Sequence, residues 1–225
     1  LVVIGHTPVL KVALHLCTAF VFVGLVLWMI LKLMSGMKPG YWRPSTGLLV
    51  VVGLALVLCL AQVFSGGLVA KSKAGYFYNT WPLLGESLIP PAAALYMEDR
   101  SLADNLSTNH VLIQFIHRWL AFVLAAGVIA LVVALLPRHL TSVGRWAVRS
   151  TILILVTQIT LGILTLVWGV PMSVALIHLF AGLVLYLVLV VLAFEIVYNP
   201  ALSAAPVGAA ATSRTSEAPL AVPTA

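Results

Sequence analysis

Five long runs of apolar residues, at 12–34, 48–70, 111–136, 147–168 and 172–197, dominate this 225-residue chain. A helix needs about 20 such residues to cross a hydrocarbon core of roughly 30 Å, and every run is long enough. Backbone N–H and C=O groups find no partners in lipid, so runs of this kind must close their hydrogen bonds within helices. The pattern predicts an all-α integral membrane protein with five transmembrane helices. Only one connection is long. Residues of about 71–110 carry Pro82, Pro90 and Pro91 and an aromatic cluster of Tyr76, Phe77, Tyr78 and Trp81. A connection of that length is functional or disordered as a rule, and its aromatics suit either the membrane–water interface or a lid over a site. Residues 200–225 turn to Ala, Pro, Ser and Thr and read as a disordered, non-catalytic tail.

Polar residues inside the runs are few and regularly placed. His15, His117 and His178 lie a few residues into the first, third and fifth runs. At about 1.5 Å of rise per residue, the three imidazoles come about 8–10 Å below one membrane surface. The second and fourth runs share Gln62, Gly66 and Leu68 against Gln158, Gly162 and Leu164. The first and fifth share Val12-Ala13-Leu14-His15-Leu16 against Val174-Ala175-Leu176-Ile177-His178-Leu179. Neighbouring spans run antiparallel, so the late glutamines and the early histidines occupy the same outer half. The repeat predicts that residues 48–199 form one antiparallel four-helix bundle, and that 1–47 carries the last helix of a preceding, pseudo-symmetric half. On this expectation the chain, which starts at Leu1, is an N-terminally truncated form of an eight-helix protein.

Composition sharpens the class. The chain is 62% hydrophobic and 8% charged, with a mean hydropathy of +1.14, which excludes a soluble globular domain. Its formal charge is +6, yet the basic residues form no patch that would grip nucleic acid. Lys32, Lys38 and Arg43 follow the first run, and Arg138, Arg145 and Arg149 surround the turn between the third and fourth. Such loops stay on the cytoplasmic (or matrix) side, which puts the 71–110 connection outside. Lys11, Lys71 and Lys73 count against that orientation. Cys17 and Cys59 both fall inside apolar runs and read as small buried hydrophobes.

Imidazole is costly in a membrane interior and marks a functional site by default. Four residues beyond each histidine, on the same helical face, comes a small side chain: Ala19, Ala121 or Gly182. A flat macrocycle ligated axially needs that clearance, and histidine is a common haem ligand; helix–helix contacts use small residues as well. Zinc, the rival, wants four tetrahedral ligands with thiolate or carboxylate help. No carboxylate lies in the outer half of any run, and neither cysteine shares the histidine level on its own face. Two histidines from different helices fit a six-coordinate haem iron better. A proton relay would include Asp or Glu. Arg118 can snorkel to a lipid phosphate or pair with a haem propionate. Gln114, one turn before His117, can orient the imidazole, touch a substrate or bond a neighbouring helix. His6, His110, His139 and Glu195 lie at helix ends and read as interfacial.

The segments Gly67-Leu68-Val69-Ala70, Ala74-Gly75, Asn79-Thr80-Trp81-Pro82-Leu83, Gln114-Phe115-Ile116-His117-Arg118 and Leu161-Gly162-Ile163-Leu164-Thr165, with the His178 helix, resemble the haem A synthase family. The resemblance covers residues of about 10–197. It implies an eight-helix protein of two four-helix halves, with haem b held between His117 and His178 in the C-terminal half. It makes His15 one of two histidines at the substrate-haem site. The partner of His15 and the acidic loop residue of the family have no counterpart here, so the catalytic residue is unknown. Leu179 stands where the family usually has Gln, and the loops lack cysteine, as in the mitochondrial and proteobacterial branch.

The implied activity is oxidation of a methyl group of haem O to formyl, making haem A for cytochrome oxidase assembly, while haem b passes electrons. Implied partners are the haem O substrate, membrane lipid, haem O synthase or other cytochrome oxidase assembly proteins, and a second copy of the chain. The implied location is a bacterial inner (plasma) membrane, or the mitochondrial inner membrane. A non-enzymatic b-type cytochrome is the alternative, with the same haem b pair and no second haem site at His15. A transporter would need broken helices or paired charges, and the runs carry neither.

Overall fold

The computed structural model describes residues 8–35 and 44–202, so His6, Lys38, Arg43 and the tail beyond Leu202 lie outside the described residues. In chain order the helices are α1 (Val9–Ser35), α2 (Thr46–Ser72), the short α3 (Ala92–Leu95) and α4 (Leu102–Thr108), α5 (His110–Leu135), α6 (Ser142–Val167) and α7 (Met172–Tyr198). The five long ones are each apolar and long enough to cross a membrane. All five expected spans are present, and the protein is an all-α integral membrane protein.

The largest boundary difference is at α6, which starts at Ser142 and not at 147. Hydropathy marks the lipid-facing stretch, whereas a helix starts where its first N–H groups are satisfied. Thr141 does that here: its side chain accepts from the Gly144 amide. Asn109 caps α5 in the same way, accepting from Val111 and Leu112.

The 73–109 connection is built, with a 3-10 turn at Ala74–Tyr76 followed by α3 and α4. Two buried asparagines organise it. Asn105 donates to the Met97, Arg100 and Ser101 carbonyls and accepts from the Met97 amide, while Asn109 donates to the Ala94 and Leu95 carbonyls. Paired polar groups let this irregular backbone stay ordered against the bundle.

Four helices close a ring in the order α2, α5, α6, α7, with α1 packed outside against α2 and α7. Small residues set the approach of α1. A Cβ on Gly67 would come within 2.8 Å of the Ala13 backbone, and one on Gly24 within 2.8 Å of the Tyr186 ring. The α5–α6 side of the ring is its most open. Packing is uneven along the membrane normal as well. Buried side chains of α5 cluster at Leu124–Leu135, those of α6 stop at Leu155, and those of α7 begin only at Gly182. Beyond Leu155 in α6 and before Gly182 in α7, the stretches that carry Gln158 and His178 bury no residue, whereas α5 buries Ile113 and Gln114 one turn from His117.

The inner end of the bundle is tied by Glu195. The sequence reading placed it at the interface; it is instead buried, 6% exposed. Its carboxylate accepts from the Thr141 amide at 2.7 Å, the Thr141 hydroxyl at 2.6 Å and the Asn199 side chain at 2.7 Å. A negative group held at the start of α6 is favoured by the helix dipole. Glycine at 144 makes room for it, since a Cβ there would lie 2.6 Å from the carboxyl carbon. Glu195→Ala leaves the Thr141 and Asn199 donors without their acceptor, at a cost of about 1–3 kcal/mol. A lowered thermal unfolding midpoint in detergent is the expected result; an unchanged one would remove this tie from the fold.

Candidate functional site

Each histidine of the bundle is held by a Gln-x-x-x-Gly helix beside it. His117 on α5 packs against α2, where a Cβ on Gly66 would come within 3.2 Å of its Cε1. His178 on α7 packs against α6, where a Cβ on Gly162 would come within 3.0 Å of its Cε1. Only glycine admits the imidazole that closely. The repeat read from sequence is therefore a contact pattern in space. Around the ring the groups alternate as Gln62 on α2, His117 on α5, Gln158 on α6 and His178 on α7. His117 and His178 lie seven and six residues beyond His110 and Met172, the first residues of their helices, so both sit about 9–10.5 Å along the axis from the outer end.

The tautomers follow from the partners. His178 Nδ1 lies 3.1 Å from the Gln158 carbonyl oxygen, which can only accept, so Nδ1 carries the proton and Nε2 keeps its lone pair. His117 Nδ1 lies 2.8 Å from the Ser65 hydroxyl, which itself donates to the Gln62 carbonyl at 2.9 Å. Nδ1 again donates, and Nε2 is again the free base. The Gln62 amide nitrogen is 3.2 and 3.4 Å from the two ring nitrogens of His117. An atom so nearly equidistant stands over the ring face, off both lone-pair axes. Its firm bond is to the His117 carbonyl, at 3.1 Å. The amide oxygens of Gln62 and Gln158 are buried and meet no partner among the described residues.

His15 is not part of this constellation. Its side chain is exposed on α1, and among the described residues no three of His, Cys, Asp and Glu come together. The three histidines share a depth, but only two share an interior. Cys59 is buried and Cys17 is half-buried, both free; the Cys17 thiol donates to the Leu60 carbonyl at 3.5 Å. His110 stacks on Phe77 with centroids 4.1 Å apart, and His139 is exposed at the inner end.

Gln114 and Arg118 have a visible task that was absent from the sequence reading. Buried Gln114 donates to the Ala74 and Tyr78 carbonyls at 2.8 and 2.9 Å, and its oxygen accepts from Arg118 Nε and Nη2. Arg118 also donates from Nη2 to the Tyr78 carbonyl and from Nη1 to the Leu83 carbonyl, both at 2.9 Å. One N–H, on Nη1, meets no partner among the described residues. The Gln114-to-Arg118 and Asn79-to-Leu83 segments, separate as motifs, thus form one clamp that fastens the outer connection onto α5. Beneath it, a cavity of about 290 Å³ is lined by Trp81, Pro82, Phe115, Trp119 and Phe122, with Arg118 in its wall. The connection also reaches the α6–α7 turn, where a Cβ on Gly75 would come within 3.0 Å of Val170. Tyr76 and Phe77 remain exposed, so the segment roofs the outer end and still presents aromatics at the interface.

Ser65 was missed in the sequence. The available signal was its spacing: it follows Gln62 by three residues, on the same helical face as the repeat glutamine.

Fold and site together define a membrane-embedded helix bundle with an anchored imidazole on each of two diagonal helices. Residues 6–190 match the COX15-CtaA family, cytochrome oxidase assembly protein. Proteins named heme A synthase are similar to the chain. That of Methylobacterium radiotolerans is 39% identical over 178 residues, covering 77% of this chain and 47% of that protein. That of Rhizorhabdus wittichii is 34% identical over 169 residues, covering 75% and 46%. That of Rhodopseudomonas palustris is 35% identical over 170 residues, covering 75% and 44%. No solved structure matches. The chain belongs to the COX15-CtaA family of cytochrome oxidase assembly proteins, and it spans about half the length of the curated relatives it matches.

Gln114→Ala removes two loop carbonyls' donor and the acceptor that aims Arg118. Limited proteolysis is expected to cut the 73–88 segment faster in this variant than in the parent; equal rates would mean the clamp does not hold the connection.

Proposed function

We propose that this chain forms the haem b-binding part of a haem A synthase, in which His117 and His178 would hold the haem iron through Nε2. The observation that carries the reading is the matched pair of imidazoles inside the bundle. Each has Nδ1 tied to a neighbouring helix, Nε2 free, and a glycine clearing the space at Cε1. Neutral imidazole with its far nitrogen anchored by a hydrogen bond is the state in which histidine binds a metal. The buried, unpaired amide oxygens of Gln62 and Gln158 fit a site that takes a further polar or hydrogen-bonding group. Family membership supports haem as that group.

The reaction proposed for the whole protein is oxidation of a methyl substituent of haem O to formyl. A bound haem b supplies the electron-carrying iron. The chain's own residues supply orientation and exclusion of water. Ser65 and the Gln158 carbonyl fix the ring planes, Gly66 and Gly162 set their approach, and the Gln114–Arg118 clamp holds a roof over the outer end. The remaining Nη1–H of Arg118 is the donor available to a propionate. His15 is the residue proposed for the substrate haem. Residues 1–47 belong on this reading to a substrate-side unit, and 48–199 to the cofactor unit.

The bacterial relatives favour a bacterial plasma membrane. Haem O, membrane lipid, haem O synthase, other assembly proteins and a second copy of the chain are the proposed partners. One observation favours the second reading, a non-enzymatic b-type cytochrome: His15 is exposed and meets no hydrogen-bonding partner among the described residues.

Purified protein is expected to give a bis-histidine haem spectrum. His117→Ala or His178→Ala abolishes it, whereas His139→Ala and His15→Ala leave it intact. Equal haem content in all four variants would overturn the ligand assignment. Extraction of haem A after supply of haem O separates the enzyme from the electron carrier.

A further inference from the structure

The two halves of the imidazole centre use the same backbone acceptor differently. Residues 62 and 158 correspond, as do 66 and 162, an offset of 96; position 65 then corresponds to 161. His178 Nδ1 donates straight to the carbonyl of Gln158 at 3.1 Å. At the equivalent place the carbonyl of Gln62 is taken by the Ser65 hydroxyl, and His117 Nδ1 donates to that hydroxyl at 2.8 Å. Leu161, at the matching position of α6, has no hydroxyl to intervene.

We infer that Ser65 is a positioning residue for the cofactor: a hydroxyl inserted between His117 and the α2 backbone that fixes the ring and sets its strength as a ligand. The inference rests on the bis-histidine haem reading above. A serine in a membrane helix commonly bonds the carbonyl three or four residues back and does nothing else. Ser65 makes that bond, but three further facts set it apart. It is 3% exposed, its remaining lone pair faces Nδ1 at 2.8 Å, and the helix lacking it turns its histidine to the bare carbonyl. A hydroxyl that is itself donating is a better acceptor, since hydrogen bonds in a chain polarise one another. An imidazole whose Nδ1–H is so held is more basic at Nε2 and favours the higher oxidation state of a bound iron. His117 is thus the ligand whose strength a single side chain controls, while the holder of His178 is backbone.

The test uses the full chain loaded with haem and follows the midpoint potential by redox titration of its absorption bands. Ser65→Ala is expected to raise the potential, because Nδ1–H loses its acceptor, and to weaken haem binding by roughly 10-fold. Ser65→Thr, which keeps the hydroxyl, is expected to restore the parental potential. Ser65→Cys keeps the volume with a weaker acceptor and is expected to shift the potential upward by less; it carries the test where Ser65→Ala is not recovered with haem. A parental potential in Ser65→Ala or Ser65→Cys overturns the inference, as does a Ser65→Thr shift as large as that of Ser65→Ala. Haem content of His117→Ala and His178→Ala decides the parent reading separately. If those variants lose haem while Ser65 variants keep an unshifted potential, the ligands stand and the role of Ser65 falls.

Discussion

An imidazole inside an apolar helix bundle has two nitrogens and can leave only one idle. The N–H must find an acceptor without water, or its burial costs the free energy of a lost hydrogen bond. The outer half of this protein is organised around that requirement. A transmembrane helix offers few acceptors to its neighbours, because its carbonyls are already engaged four residues ahead. A carbonyl has a second lone pair, however, and Gln158 offers it to His178. Gln62 offers it through Ser65 to His117. Access to a carbonyl lone pair demands close approach, which is why glycine follows each glutamine by four residues and lies under the ring. The Gln-x-x-x-Gly pattern is then a geometric condition for burying a histidine, one that leaves Nε2 available.

Meeting the condition shapes the rest of the bundle. Helices α6 and α7 are packed tightly in their inner halves, α6 up to Leu155 and α7 from Leu185 onward, while α5 buries Leu124 to Leu135 there and also Ile113 near its other end. Glu195, Thr141 and Asn199 lock the inner end by hydrogen bonds. Rigidity at the outer end comes instead from the connection, fastened by Gln114 and Arg118 to α5 and resting near Val170 at the α6–α7 turn. A bundle tied at both ends holds the two imidazoles in place.

Most of this fold could be read from hydropathy, because a membrane leaves the backbone only one economical choice per span. The paired histidines and the glutamine–glycine repeat were legible too, since polar residues are rare in such runs and their spacing stands out. What stayed hidden depended on partners distant in sequence. Gln114 could be read as a ligand contact or a helix–helix bond and Arg118 as a propionate or lipid-phosphate contact, and only the fold brings the Tyr78 and Leu83 carbonyls to them. Glu195 looked interfacial because it lies one turn from the end of α7; its burial depends on α6 starting at Ser142, ahead of the apolar run. Ser65 was masked by the bland role serines usually take in membrane helices. Equal depth for His15, His117 and His178 follows from their positions along the apolar runs, but depth carries no information on which way a helix face turns.

His15 shows why the companion helix matters as much as the histidine. The entry of α1 repeats that of α7 nearly residue for residue, yet His178 is half-buried and anchored while His15 is exposed. The difference lies in the neighbours. Helix α7 has α6 alongside, with Gln158 and Gly162 facing the ring. Helix α1 meets α2 through Ala13 and Gly67, two residues ahead of His15 and therefore on a different face. Gln62 and Gly66 of α2 are already committed to His117. A helix of this kind serves one histidine only, since its glycine gap and its free carbonyl lone pair each accommodate a single ring. For His15 to act as a buried ligand, the acceptor and the gap must come from an element other than the helices that already carry them here.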